Sequence, residues 1–273
     1  MKYTVQSGKY VFKNFIYIFP LAILPAFFLS VSVDEGAIIN VLNAFFSNEL
    51  SAWTFSDLFC AISVLNFGSW RSAVFGVVGT IFIVPCVALL MAFLEKHFRI
   101  GKRTFNGLWS KLNDNFLSTC GYGILFLTIY ELWSVLTAAL LFFLSRISVA
   151  VVAYIIVVVA YLAMHVALLY VIGMIYLWLP CMQITGFRSI EALQYSYQLV
   201  TPVQWKILGG QMFVLLCAEG LLCLCAVFLP NALVFTILST ALYAIVLMVY
   251  CVRMEIAYFD RDHIERADLR TYY

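Results

Sequence analysis

The sequence predicts an all-α bundle of six membrane-spanning helices with both ends in the cytoplasm. Three observations predict it. Of 273 residues, 64% are hydrophobic and 11% charged, with a mean hydropathy of +1.00, whereas a soluble domain carries about 25% charged residues. The apolar residues lie in long runs and not in the narrow stripe of a water-exposed helix. The cations, finally, are sorted onto one set of connections.

Crossing a hydrocarbon layer of ~30 Å takes about 20 apolar residues in a helix. Six stretches meet that requirement: 12–31, 73–94, 122–144, 150–176, 207–229 and 232–257. The first follows Lys2, Lys9 and Lys13 and leads into bulky residues, not a small-residue cleavage site, so it reads as a retained span. Pro20, Pro25 and Pro85 each remove a backbone donor and are expected to kink their helices. The fourth span belongs to an apolar run from Ile147 to Pro180, which as one helix reaches about 50 Å. That run must tilt, protrude or break near Gly173.

The connection 32–72 is long but not a polar linker. Ile38, Val41, Leu42 and Phe45 recur at helical spacing, as do Leu58, Phe59, Ile62 and Leu65. Two short helices are expected there, either covering the bundle end or closing a substrate cavity.

Fourteen of the sixteen Lys and Arg fall on one side of this arrangement. They are Lys2, Lys9 and Lys13 before the first span, then Lys96, Arg99, Lys102, Arg103 and Lys111 after the second. Arg188 and Lys206 follow the fourth, and Arg253, Arg261, Arg266 and Arg270 close the chain. Only Arg71 and Arg146 fall opposite. Excess Lys and Arg mark the cytoplasmic side, which places both termini there. Trp53 and Trp70 on one side, with Trp109, Trp178 and Trp205 on the other, suit aromatic belts at the two interfaces.

Two cytoplasmic segments, 101–117 and 186–201, look alike. Each offers a hydroxyl N-cap, Thr104 or Ser189, ahead of an amphipathic helix. Each follows a Pro-Cys pair (Pro85-Cys86, Pro180-Cys181) and precedes a span with a mid-depth glutamate. The pattern reads as a parallel internal duplication of spans 2–3 and 4–5, not an inverted repeat. Arg103, Phe105, Trp109, Lys111, Arg188 and Tyr197 are expected to rest on anionic headgroups or to dock a partner.

Glu131 and Glu219 lie near the middle of their spans, and His165 shares a helical face with Tyr154 and Tyr161. A charge at that depth costs about 2.5–3.5 kcal/mol on insertion scales, so these side chains should face the bundle interior. Two readings stay open. They form one polar centre that binds a cation or passes a proton, with the two glutamates approaching each other, or each is a protonated acid that only fixes packing. The eight cysteines show no CxxC or Cys/His spacing, so no metal or cofactor is expected. HExxH, GxSxG and Walker A motifs are missing, which argues against an enzyme. Asp260, Asp262, His263 and Glu265 alternate with Arg261 and Arg266, the pattern of a solvated charged helix end. Nucleic-acid binding is not indicated.

The stretch 101–116, GKRTFNGLWSKLNDNF, resembles the cytoplasmic segment of the YesL-like bacterial membrane proteins, through Phe105, Leu108, Leu112, Asn115 and Phe116. The segment SIEALQYSYQLVTPVQWKILGG is similar to the membrane domain attached to some glycerophosphodiester phosphodiesterases, through Ala192, Leu193 and Ser196. These resemblances imply a bacterial cytoplasmic-membrane protein of a class thought to assist solute uptake, with no catalytic residues carried over. The expected function is therefore a non-enzymatic transport component or accessory, with the bilayer and other transporter subunits or a second copy as partners. The alternatives are a permease subunit of an ATP-driven exporter and a lipid-acting membrane enzyme.

Overall fold

Caps and breakers set where the helices begin and end. The computed structural model describes residues 2–229 and 231–269, and no strand occurs among them. Ten α-helices follow one another: α1 (Lys2–Ser32), α2 (Glu35–Phe46), α3 (Phe55–Ile62), α4 (Trp70–Ile100), α5 (Leu108–Leu144), α6 (Ala150–Met174), α7 (Trp178–Thr185), α8 (Ser189–Val200), α9 (Gln204–Phe228) and α10 (Ala232–Arg261). Side chains of Asp34, Thr54, Ser69 and Asn231 accept from the first free N–H groups of α2, α3, α4 and α10. Gly101 and Gly186, in the left-handed region at φ 75° and 71°, close α4 and α7.

Six stretches are long and apolar enough to cross a membrane: α1, α4, α5, α6 running on through a turn into α7, α8 leading into α9, and α10. They form a ring in which α1 touches α4, α4 touches α5, then α6, α9 and α10 follow, and α10 returns to α1. Lys2 Nζ lies 3.0 Å from Asp260 Oδ1, so the start of α1 and the end of α10 share one end of the bundle. The outward faces of α5 and α6 carry Ile124, Leu132, Leu136, Phe143, Val151, Ile155 and Val159, all more than half exposed. A patch of that size is incompatible with water and suits lipid.

The tightest part of the ring is α1 against α4 and α10. Small residues permit it: Ala22, Ala26, Ala88 and Ala244 are at most 1% exposed. Two α4 glycines also sit at close approaches. A Cβ on Gly79 falls 2.9 Å from Leu29 Cδ2 and 3.1 Å from its backbone N, and one on Gly76 falls 2.8 Å from the Val64 carbonyl. Gly76→Val is expected to cost about 1–3 kcal/mol by overpacking. The readout is a lowered midpoint of thermal unfolding in detergent, with Gly121→Val, where a Cβ meets nothing within 4 Å, as the control that stays near wild type.

Of the alternatives for the run from Ile147 the structure shows the break, and it revises several other expectations. The apolar run from Ile147 breaks after Met174, where residues 175–177 form a turn between α6 and α7. In α1 the non-helical backbone is at Asn14 (φ −118°, ψ 16°), not at Pro20 or Pro25. The segment 101–117 is not a separate amphipathic helix. Thr104 accepts from Asn106 N–H in a turn, Gly107 stands at φ 74°, and from Leu108 the chain runs unbroken into α5. Its counterpart is separate: α8 begins at Ser189, capped by Arg188, whose N–H donates to Glu191. The two look-alike segments thus take different forms. Trp53 is no belt residue either. It is 5% exposed and donates Nε1–H to the Val41 carbonyl.

Candidate functional site

A cavity of about 440 Å³ lies where α5, α6, α9 and α10 diverge, roofed by α2 and α3. That volume is in the range of small-molecule sites. Its wall is almost wholly apolar, with Phe45, Trp53, Tyr130, Tyr161 and Tyr243 among the lining residues and a single carboxylate, Glu219. Phe46, Val158 and Leu162 line the cavity and are also exposed at the outer surface, 74%, 43% and 40%. The cavity is therefore open and not sealed, and part of its lining belongs to the exposed apolar surface of α6.

Helical spacing assembles the polar floor. Tyr154, Tyr161 and His165 project from one side of α6, because residues three, four and seven apart share a face. Tyr161 donates its hydroxyl to Glu219 Oε2 at 2.9 Å, and His165 Nε2 lies 2.9 Å from Glu219 Oε1. His165 itself is fully buried, with Trp133 edge-on at 4.9 Å and the Trp133 indole fixed to the Met164 carbonyl.

The other imidazole nitrogen decides the proton count. His165 Nδ1 lies 2.9 Å from the Tyr161 carbonyl, which can only accept, so Nδ1 carries a hydrogen. Nε2 then accepts from a protonated Glu219 or, as imidazolium, donates to its carboxylate. In both forms one proton lies between the two side chains and the pair is neutral overall. The Glu219 side chain is 29% exposed and lines the cavity, so it is open to a guest as well as to His165.

Glu131 has a different task. Its Oε1 accepts from the N–H groups of Val64 and Leu65 at 3.0 and 2.9 Å, and Oε2 accepts from the Ser63 hydroxyl at 2.6 Å. These groups follow the end of α3 and have no helical partner. In an apolar surrounding, unpaired N–H groups are expensive, and Glu131 pays for them. The roof is held elsewhere too: Tyr130 donates to the Ile62 carbonyl, Tyr154 to that of Phe45, and Arg146 to those of Ser51 and Trp53. The structure therefore brings Glu219 and His165 together and gives Glu131 separate partners, instead of joining the two glutamates.

The residues expected to touch the membrane surface or a partner diverge. Trp109 and Tyr197 are exposed, at 76% and 53%. Phe105 stacks on Phe93 at 5.4 Å and Arg103 lies over the Tyr17 ring, which fastens the loop onto the bundle, and Lys111 in the first turn of α5 approaches Glu95 of α4 at 3.7 Å. Arg188 caps α8. Sequence reasoning missed two groups. Arg253, taken as an end charge, is 3% exposed and donates to the Tyr176 hydroxyl. Glu255, two residues on, is 1% exposed and both carboxylate oxygens lack a hydrogen-bond partner among the described residues. The available signal was their place inside an apolar run of α10. No protein-family model matches the chain, and no curated protein or solved structure does.

Proposed function

We propose that this chain is a non-enzymatic membrane transport component whose cavity takes an amphipathic organic cation from the bilayer in exchange for the proton held between His165 and Glu219. One observation carries the reading: an aromatic-lined, open cavity with one carboxylate in its lining, and that carboxylate 2.9 Å from a histidine nitrogen. Aromatic faces attract cations, and more strongly when water is excluded. Neither an uncharged apolar guest nor an anion gains an ion pair from Glu219. In this reading both termini lie in the cytoplasm, because fourteen of the sixteen Lys and Arg sit on that side. The parallel duplication of spans 2–3 and 4–5 rests on sequence likeness alone.

The test compares tetraphenylphosphonium with neutral triphenylphosphine oxide on the purified protein. Cys223 lines the cavity beside Glu219 and supplies the probe. The expected result is that the cation slows labelling of Cys223 by a lipophilic maleimide and the neutral compound does so far less. In proteoliposomes, efflux of the fluorescent cation ethidium should depend on the protein and on an opposing proton gradient. Equal protection by both compounds, or flux indifferent to the gradient, contradicts the proposal.

A further inference from the structure

A second cavity, of about 490 Å³, opens at the end of the bundle that carries the start of α1 and the end of α10. Its chemistry is opposite to that of the first. Lys9 and Lys13 reach it from α1, one helical turn apart on one face, and Arg103 reaches it from the loop after α4. Arg266 closes the far side from the C-terminal turn. Against these four cations stands one carboxylate, Asp268, and it is already engaged. Arg266 grips it through Nε at 3.1 Å and Nη2 at 2.8 Å while lying 4.3 Å over the Phe98 ring. The side chains of Lys9 and Lys13 make no hydrogen bond or ion pair among the described residues.

The back wall is rigid and polar. His97 is 5% exposed, its Nδ1 bonded to the Tyr10 hydroxyl. Asn14, 1% exposed, donates to the Tyr10 carbonyl at the point where α1 departs from helical geometry, and its Oδ1 has no partner. The neighbouring α1 residues Phe12 and Ile16 are 87% and 83% exposed, so the rim of the cavity is the start of the lipid-covered surface.

We infer that this cavity is a binding site for a phosphate group, independent of the cation cavity and built from Lys9, Lys13 and Arg103 against the fixed Arg266–Asp268 pair. Lysine and arginine gathered around a concave polar wall match a phosphate's charge and acceptor oxygens. Bound there, the phosphate ties α1, the loop after α4 and the C-terminal turn together. An anionic lipid headgroup and a soluble phosphate ester share this chemistry, and the position at the lipid rim favours the headgroup.

The test is native mass spectrometry and thermal shift on the full chain in uncharged detergent. The probes are short-chain phosphatidylglycerol, phosphatidylcholine of equal chain length, glycerol 3-phosphate and inorganic phosphate. Wild type should bind phosphatidylglycerol well above phosphatidylcholine, and Lys9→Gln/Lys13→Gln should weaken that binding about tenfold or more. Both lysines are exposed, so the variant should fold as wild type does. Arg188→Gln/Lys206→Gln removes two cations from elsewhere on the chain and should leave binding unchanged. Binding of glycerol 3-phosphate or inorganic phosphate as tight as that of the lipid supports the site and assigns it to a soluble ester. Equal loss in both double variants, or no preference for the phosphate-bearing anions over phosphatidylcholine, overturns it.

Discussion

Glu219→Gln should abolish high-affinity cation binding while leaving the protein folded. A desolvated charge pair loses about 2–5 kcal/mol when one partner is removed. Tetraphenylphosphonium should therefore bind about 30-fold to several-thousand-fold more weakly to the variant, measured by equilibrium dialysis. The fold survives because the glutamine amide can still meet both neighbours: its oxygen accepts from Tyr161 and its NH2 donates to His165 Nε2. Binding of the neutral comparator should be unaltered. A variant that keeps wild-type cation affinity would mean that the aromatic wall alone holds the guest and that the carboxylate is there for packing.

Glu131→Ala should loosen the roof without touching the floor. The alanine leaves the N–H groups of Val64 and Leu65 and the Ser63 hydroxyl without their acceptor. Each orphaned group costs about 1–3 kcal/mol in a buried place, so the segment should detach and reopen frequently. Cys60 reports this. It is 7% exposed, and burial holds its thiol above the ordinary cysteine pKa despite an opposing hydrogen bond from Ser56. Opening removes both protections, so maleimide labelling of Cys60, as the sole cysteine, should rise about tenfold or more in a variant that is several kcal/mol less tightly latched. Glu131→Gln, whose amide oxygen can still accept both N–H groups, should stay close to wild type. Equal labelling in all three proteins would show that the bonds from Tyr130, Tyr154 and Arg146 suffice and that Glu131 is dispensable.

The spans were legible because the physics behind them is local. A helix in lipid needs its apolar residues in one unbroken run, and all six runs are visible in the chain. Length alone required the run from Ile147 to bend or break, and periodicity exposed both roof helices, α2 and α3. What stayed hidden was non-local. Nothing near Glu131 announces that its partners sit 66 to 68 residues earlier. That Glu219 would choose His165 and not Glu131 depends on how α6 and α9 face one another, which no single helix encodes. Thr104 failed as a helix start because Gly107 adopts a positive φ three residues later and resets the chain. Arg253 was misassigned because a charge near a span's end looks the same in sequence whether it points to water or to Tyr176.

The central claim is that His165 and Glu219 hold one proton that an organic cation displaces. Isothermal titration of tetraphenylphosphonium in two buffers of different ionisation enthalpy, at the same pH, counts that proton directly. The account predicts release of about one proton per cation bound to wild type and none from any residual binding to Glu219→Gln. Tight cation binding to wild type with identical heats in both buffers would contradict it.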